Sequence, residues 1–211
     1  MGQAGKLRAC DDLKNGLTNR ACQIITPIKL VSWGHVSQLC RRYASDGLDW
    51  ALFKADREAD YKQLPLDSDD QAAGIIALRR PTSGKWFGFR SRTLMFGSVA
   101  AFLHYNLFSR LITETFSRLF KIPLILFFDD FAALIPRGMA PKGLAVFTRF
   151  CGLLGIRMKT VKSEVGPVIT CVGIQSTFPN RKAEAPSRFA FHRPGNRYRR
   201  PGLHHIWHRT R

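Results

Sequence analysis

The segment Leu124-Ile125-Leu126-Phe127-Phe128-Asp129-Asp130-Phe131-Ala132-Ala133-Leu134-Ile135 constrains the chain more than any other. An apolar run that ends in two adjacent acids and then resumes reads as a hairpin that presents its carboxylates at the turn. Unpaired charge beside low-dielectric packing is costly, so these acids need a partner, and a divalent cation is the simplest one.

The rest of the composition is compatible with a folded domain around that hairpin. A chain of 211 residues, 45% hydrophobic and 11% aromatic, can bury one sizeable core or two small ones. Its 33 Lys and Arg outnumber 15 Asp and Glu, a net charge of +18, which makes a polyanion the natural partner. Residues 180–211 hold nine of those cations against the single acid Glu184, yet the remainder is basic too. The five cysteines, Cys10, Cys22, Cys40, Cys151 and Cys171, are odd in number and form no C-x-x-C pair. They read as free thiols in a reducing compartment, nucleus or cytoplasm, rather than as a zinc or dithiol site. The N-terminus lacks the apolar core of a signal peptide, and Leu94 to Phe108 is too short for a membrane span.

Periodicity places the elements. Apolar positions Val31, Trp33, Val36, Leu39 and Cys40 give an amphipathic helix over 32–43, stopped by Asp46-Gly47. Trp50 to Asp56 reads as a strand, and Tyr61 to Leu66 continues extended toward the acidic turn 67–70. Ala72 to Leu78 and Trp86 to Phe89 flank hairpin chemistry at 79–84. After Phe96-Gly97-Ser98, the stripe Val99, Phe102, Leu103, Leu107 and Leu111 gives a helix with its core face there, Ser109 and Thr113 lying away from it. A further helix over 141–154 ends at Gly155, followed by strands at 156–159 and 165–174. The Arg-, His- and Pro-rich segment beyond Pro179 reads as a disordered basic tail.

Nucleotide addition needs metal ions that activate a primer hydroxyl and neutralise the leaving pyrophosphate. Magnesium takes only one or two carboxylates besides phosphate oxygens and waters. Asp56 on one strand, facing Asp129-Asp130 on an adjacent hairpin, fits that need.

In motif order the chain resembles the reverse transcriptase family, on the retrotransposon side, over about Lys6 to Ile174. Asp56-Arg57-Glu58-Ala59-Asp60-Tyr61, followed by Gln63-Leu64-Pro65-Leu66, is similar to the first palm motif. Phe96-Gly97-Ser98 with Tyr105-Asn106 resembles the second, and Phe127-Phe128-Asp129-Asp130 the third, where tyrosine more usually stands at the first position. Gly155-Ile156 with Lys162-Ser163 resembles the fourth, and Val172-Gly173-Ile174 the fifth. The resemblance implies an α+β polymerase palm over 46–179, an antiparallel sheet backed by helices, with partial fingers over 1–45 and the tail over 180–211.

It further implies RNA-directed DNA polymerisation with two magnesium ions, manganese being the alternative, on an RNA or DNA template with primer and deoxynucleoside triphosphates. Asp56 and Asp129 would be the main metal ligands, Asp130 the accessory acid, and the backbone carbonyl of Arg57 a further ligand. Tyr61 would lie under the sugar and exclude a 2′-hydroxyl. Gly97 would let backbone approach the nucleotide, Lys162 would stand near the leaving phosphate as charge stabiliser or acid, and Arg8 would contact the triphosphate. Against the family pattern, the strand with its phosphate-contacting lysine is missing ahead of Lys6, and nothing after Ile174 resembles a thumb or ribonuclease H domain. The expectation is thus a palm fragment. A noncatalytic nucleic-acid-binding remnant and an RNA-directed RNA polymerase palm remain the alternatives.

Overall fold

The computed structural model describes residues 13, 18–22, 38–39, 42–43, 48–166, 168–171, 174–177 and 190–192. Arg8, most of the expected fingers, Val172-Gly173 and most of the tail lie outside the described residues. The described residues form a mixed α+β fold. Four strands, β1 (Trp50–Asp56), β4 (Leu124–Phe127), β5 (Asp130–Pro136) and β6 (Glu164–Gly166), make an antiparallel sheet in the order β4-β5-β1-β6. The short ribbon β2 (Ile75–Arg79) and β3 (Trp86–Arg90) forms a separate hydrogen-bonded ladder, as does a sheet of β7 (Val168–Cys171), β8 (Ile174–Thr177) and β9 (Ala190–His192). Besides the single helical turn α1 (Thr18–Ala21), two long helices follow, α2 (Val99–Phe120) and α3 (Ala140–Leu153).

Strand alternation sends Phe53, Ala55, Phe131, Ala133 and Ile135 to one face, where they pack with Ile112 and Phe116 of α2 and Phe147 and Cys151 of α3. Leu52, Ile125, Phe127, Ala132 and Leu134 go to the other face, against Leu39, Tyr43 and Trp50. Both faces of β5 are covered, which is why its sequence is apolar at every position from Phe131 to Ile135 rather than alternating. Each large side chain buried this way stabilises the fold by about 1.5–3 kcal/mol. α3 approaches closely through Gly143, whose added Cβ would stand 2.8 Å from Ile135 Cδ1 and 3.3 Å from Phe53 Cε1.

Several elements differ from the sequence expectation. Tyr61 lies in a 3-10 helix, Asp60–Gln63, rather than in an extended segment. Residues 156–159 form no strand; Met158 makes a single bridge to Arg57. The strand expected over 165–174 is divided among β6, β7 and the first residue of β8. Ala190–His192 pairs with β8, so the tail expected to be disordered holds a strand where the aromatic Phe191 favours one. The helix expected over 32–43 is described only at residues 38, 39, 42 and 43, which are helical. No helix among the described residues is long and apolar enough to cross a membrane.

The largest difference concerns α2. It starts where expected, with Ser98 Oγ accepting from the Ala101 N–H at 3.3 Å. Its buried residues are Ala101, Tyr105, Asn106, Ser109, Ile112 and Phe116, while Leu107 and Leu111 are exposed. The apolar stripe therefore does not mark the inner face. A polar requirement turned the helix: the buried Arg57 guanidinium donates to Ser109 Oγ and lies 4.0 Å from the Tyr105 ring centroid.

Candidate metal centre

β1 ends where β5 begins. In their register Asp56 stands opposite Asp130, and the two-residue turn from β4 to β5 puts Asp129 at the exposed tip. Phe128, at the first turn position, has φ 53°, a left-handed conformation costly for a bulky residue. Past β1 the chain bends sharply: Ala59 and Asp60 also have positive φ, 54° and 31°. Three non-glycine residues in this region thus flank one spot, and strain of about 1–3 kcal/mol each persists only where surrounding structure enforces it.

Gln63 supplies part of that enforcement. Its Oε1 accepts from the Arg157 N–H at 2.7 Å, and its Nε2 donates to the Arg157 carbonyl at 2.9 Å and to the Glu58 carbonyl. The Glu58 N–H donates to the same Arg157 carbonyl at 3.0 Å. The bend is thereby tied to the segment after α3.

The outcome is a triangle of carboxylates. Oxygens of Asp56, Asp60 and Asp129 lie within 4.8 Å of one another, and this set could hold a metal ion. Hard oxygen donors of this kind suit magnesium, manganese or calcium rather than a soft metal. The electrostatics agree: burial, then repulsion from Asp129 and Asp56, push the Asp60 carboxyl up to about 6 despite the Tyr105 hydroxyl that donates to it at 3.0 Å. A cation among the three would relieve that repulsion.

The sequence-derived residues distribute as follows. Asp56 is buried and accepts from Lys162 Nζ at 2.8 Å, a bond that raises the lysine above its ordinary pKa. Asp129 joins the triangle, whereas Asp130 does not; it pairs with Lys54 at 3.3 Å. Arg57 directs its side chain into the core beneath the site, between Tyr105 and Phe131, and its buried Nε lacks a hydrogen-bond partner among the described residues. Tyr61 stacks on Tyr105 at 4.5 Å between centroids and meets Phe96 edge-on at 5.6 Å. Gly97 has φ +98°, a conformation that favours glycine, and its carbonyl accepts from Asn19 Nδ2 at 3.0 Å. Asn19 Oδ1 in turn accepts from the Val99 N–H at 3.0 Å.

Asp60, Tyr105, Ser109, Gln63 and Lys54 carry no role in the sequence reading. Asp60 sits inside the quoted first motif, and its signal was present as an acid one residue before Tyr61. Tyr105 sits in the second, but only the fold brings its hydroxyl to Asp60 across 45 residues. No protein-family model matches the chain, and no curated protein matches it.

Proposed function

We propose that this chain is the palm of an RNA-directed DNA polymerase, retrotransposon-like in its motifs, that adds deoxynucleotides to a primer using magnesium. The observation that carries the reading is the Asp56, Asp60 and Asp129 triangle, at the end of a sheet buried on both faces, with Tyr61 held beside it. Magnesium bound there would supply Lewis-acid activation of a primer hydroxyl and charge neutralisation of the triphosphate. Asp56, Asp60 and Asp129 would hold it, and Lys54 pairs with Asp130 alongside.

The remaining work falls to side chains already in position. Tyr61, fixed between Tyr105 and Phe96, offers a ring against which a deoxyribose packs and a 2′-hydroxyl is refused. Lys162 donates to Asp56 and is half-exposed, so it can turn from the carboxylate to a departing phosphate and stabilise it or give it a proton. Arg57 holds Tyr105 from below, and Tyr105 orients Asp60.

Primer extension on an RNA template with deoxynucleotides tests this. Magnesium-dependent extension by the purified chain, lost in Asp129→Ala, is the expected result. Tyr61→Ala should then raise ribonucleotide incorporation at least about tenfold relative to deoxynucleotide, since the site loses a steric filter. An active enzyme with an unchanged ratio would remove that role. One observation favours the noncatalytic alternative: Asp56 is already neutralised by Lys162. Nucleic-acid binding indifferent to magnesium and to Asp129→Ala, with no extension, would decide for it.

A further inference from the structure

The β2–β3 ribbon exposes a cluster of large apolar side chains. Ile75, Leu78, Trp86, Phe87 and Phe89 are all exposed, Trp86 at 69%. Cations interleave with them at Arg79, Arg80, Lys85, Arg90 and Arg92, and no Asp or Glu occurs from residue 71 to residue 113. The positive charge disfavours a basic partner and attracts a polyanion, and the exposed rings suit one that carries its own aromatic groups.

Register assigns the faces, since residues directly opposite in an antiparallel pair share one. Arg79 stands opposite Trp86, Ala77 opposite Gly88, and Ile75 opposite Arg90. That face therefore carries a single large ring, Trp86, at the turn end, then a low step of Ala77 and Gly88, then Ile75, with an arginine at each end, while Leu78, Phe87 and Phe89 lie on the other face. The acidic residues Asp67, Asp69 and Asp70 precede β2 and so belong to the opposite end of the ribbon from Trp86.

Gly88 is the telling position. It is absent from the glycines of positive φ, so the backbone does not require glycine there. Nor does packing, because an added Cβ would meet only Ile75 Cγ2, at an ordinary 3.6 Å. A strand-interior glycine that neither conformation nor packing requires weakens the ribbon for no internal gain, and such glycines mark places where a ligand approaches the backbone.

We propose that this face binds single-stranded nucleic acid, a base stacking on Trp86 over the Ala77 and Gly88 step while Arg79 and Arg90 meet the flanking phosphates. Duplex bases are already stacked on one another and cannot offer a face to Trp86. The proposal shares with the polymerase reading only its nucleic-acid partner, and it is measured without metal or nucleotide, so the two can fail separately.

The test uses the full chain and a fluorescein-labelled oligodeoxythymidine of roughly 12 nucleotides, a length within the usual single-strand site size. Anisotropy gives the affinity, and intrinsic tryptophan emission reports stacking. Trp86→Ala should weaken binding about tenfold, the scale of one base–aromatic stack. Quenching on titration with unlabelled oligonucleotide should diminish in Trp86→Phe. Gly88→Val should weaken binding as much while leaving the thermal midpoint unchanged or higher, since it fills the step and favours a strand. That variant separates a filled site from a broken fold. Wild-type affinity in Gly88→Val or Trp86→Ala would overturn the proposal. So would unquenched emission, or sedimentation showing a dimer that Trp86→Ala dissolves, which would assign the face to self-association.

Discussion

Asp60 is where the site's electrostatics concentrate. Its carboxyl titrates at about 6 in the folded protein against an ordinary 3.8, because burial and two neighbouring acids oppose its charge. Between those values the native state binds more protons than the unfolded one, so stability must fall as pH rises through that window, the reverse of an ion-paired carboxylate. Asp60→Asn removes the penalty and keeps an oxygen to accept from Tyr105. In chelator, the variant should match the wild type near pH 4 and exceed it above pH 6, by about 1 kcal/mol after solvent screening. Urea denaturation across that range measures it; a variant no more stable at pH 7.5 would remove the electrostatic strain inferred here. Metal affinity in the wild type should tighten over the same window, since the ligand must be deprotonated. Asp56 and Asp129 were legible in sequence because two acids beside apolar strands are anomalous locally. Asp60 and Tyr105 were not, because their meeting depends on a left-handed bend at Ala59 that no local propensity forecasts.

At the scale of elements, the hairpin and the start of α2 were legible for a simple reason: turn acids, the Phe96-Gly97-Ser98 break and an apolar run are short-range signals. The inner face of α2 was misjudged because hydrophobicity was the only guide to phase, whereas Ser109 and Tyr105 are buried to serve Arg57. The packing of α3 gives a test of the sheet that carries the acids. Gly143 sits where the helix touches Phe53 and Ile135, and a branched side chain has no room there without displacing one of them. Gly143→Val should cost about 2–3 kcal/mol from overpacking, read as a lower denaturation midpoint with an unchanged slope. Because β1 ends at Asp56 and β5 begins directly after Asp129, metal affinity should fall as well. A neutral effect on stability would mean that helix and sheet are not in the contact described.

For the whole molecule, charge decides association and the fold decides selectivity. A net +18 spread over both the folded part and the tail ensures attraction to any polyanion, and that attraction carries no information about strandedness. The neighbourhood of β1 and the hairpin was legible from the shared need of Asp56 and Asp129-Asp130 for one cation, but the full order β4-β5-β1-β6 was not, since no local mark says which hairpin strand takes β1 or where β6 joins. The face of the ribbon was equally hidden, although its residues were in view, because it required the register of β2 on β3. Salt separates the two contributions. Counterion release makes binding fall with a slope near 0.9 per duplex phosphate contacted and near 0.7 for single strands. Stacking on Trp86 adds a part that salt does not screen. Raising salt from about 50 to 200 mM should therefore weaken duplex binding by on the order of a thousandfold if six or more phosphates are engaged, and single-strand binding by less. The preference for single strand should grow with salt in the wild type, and at the highest salt that still allows measurement Trp86→Ala should show the smaller preference. A preference that stays constant from low to high salt, or one indifferent to Trp86, would mean that the ribbon contributes charge and nothing else.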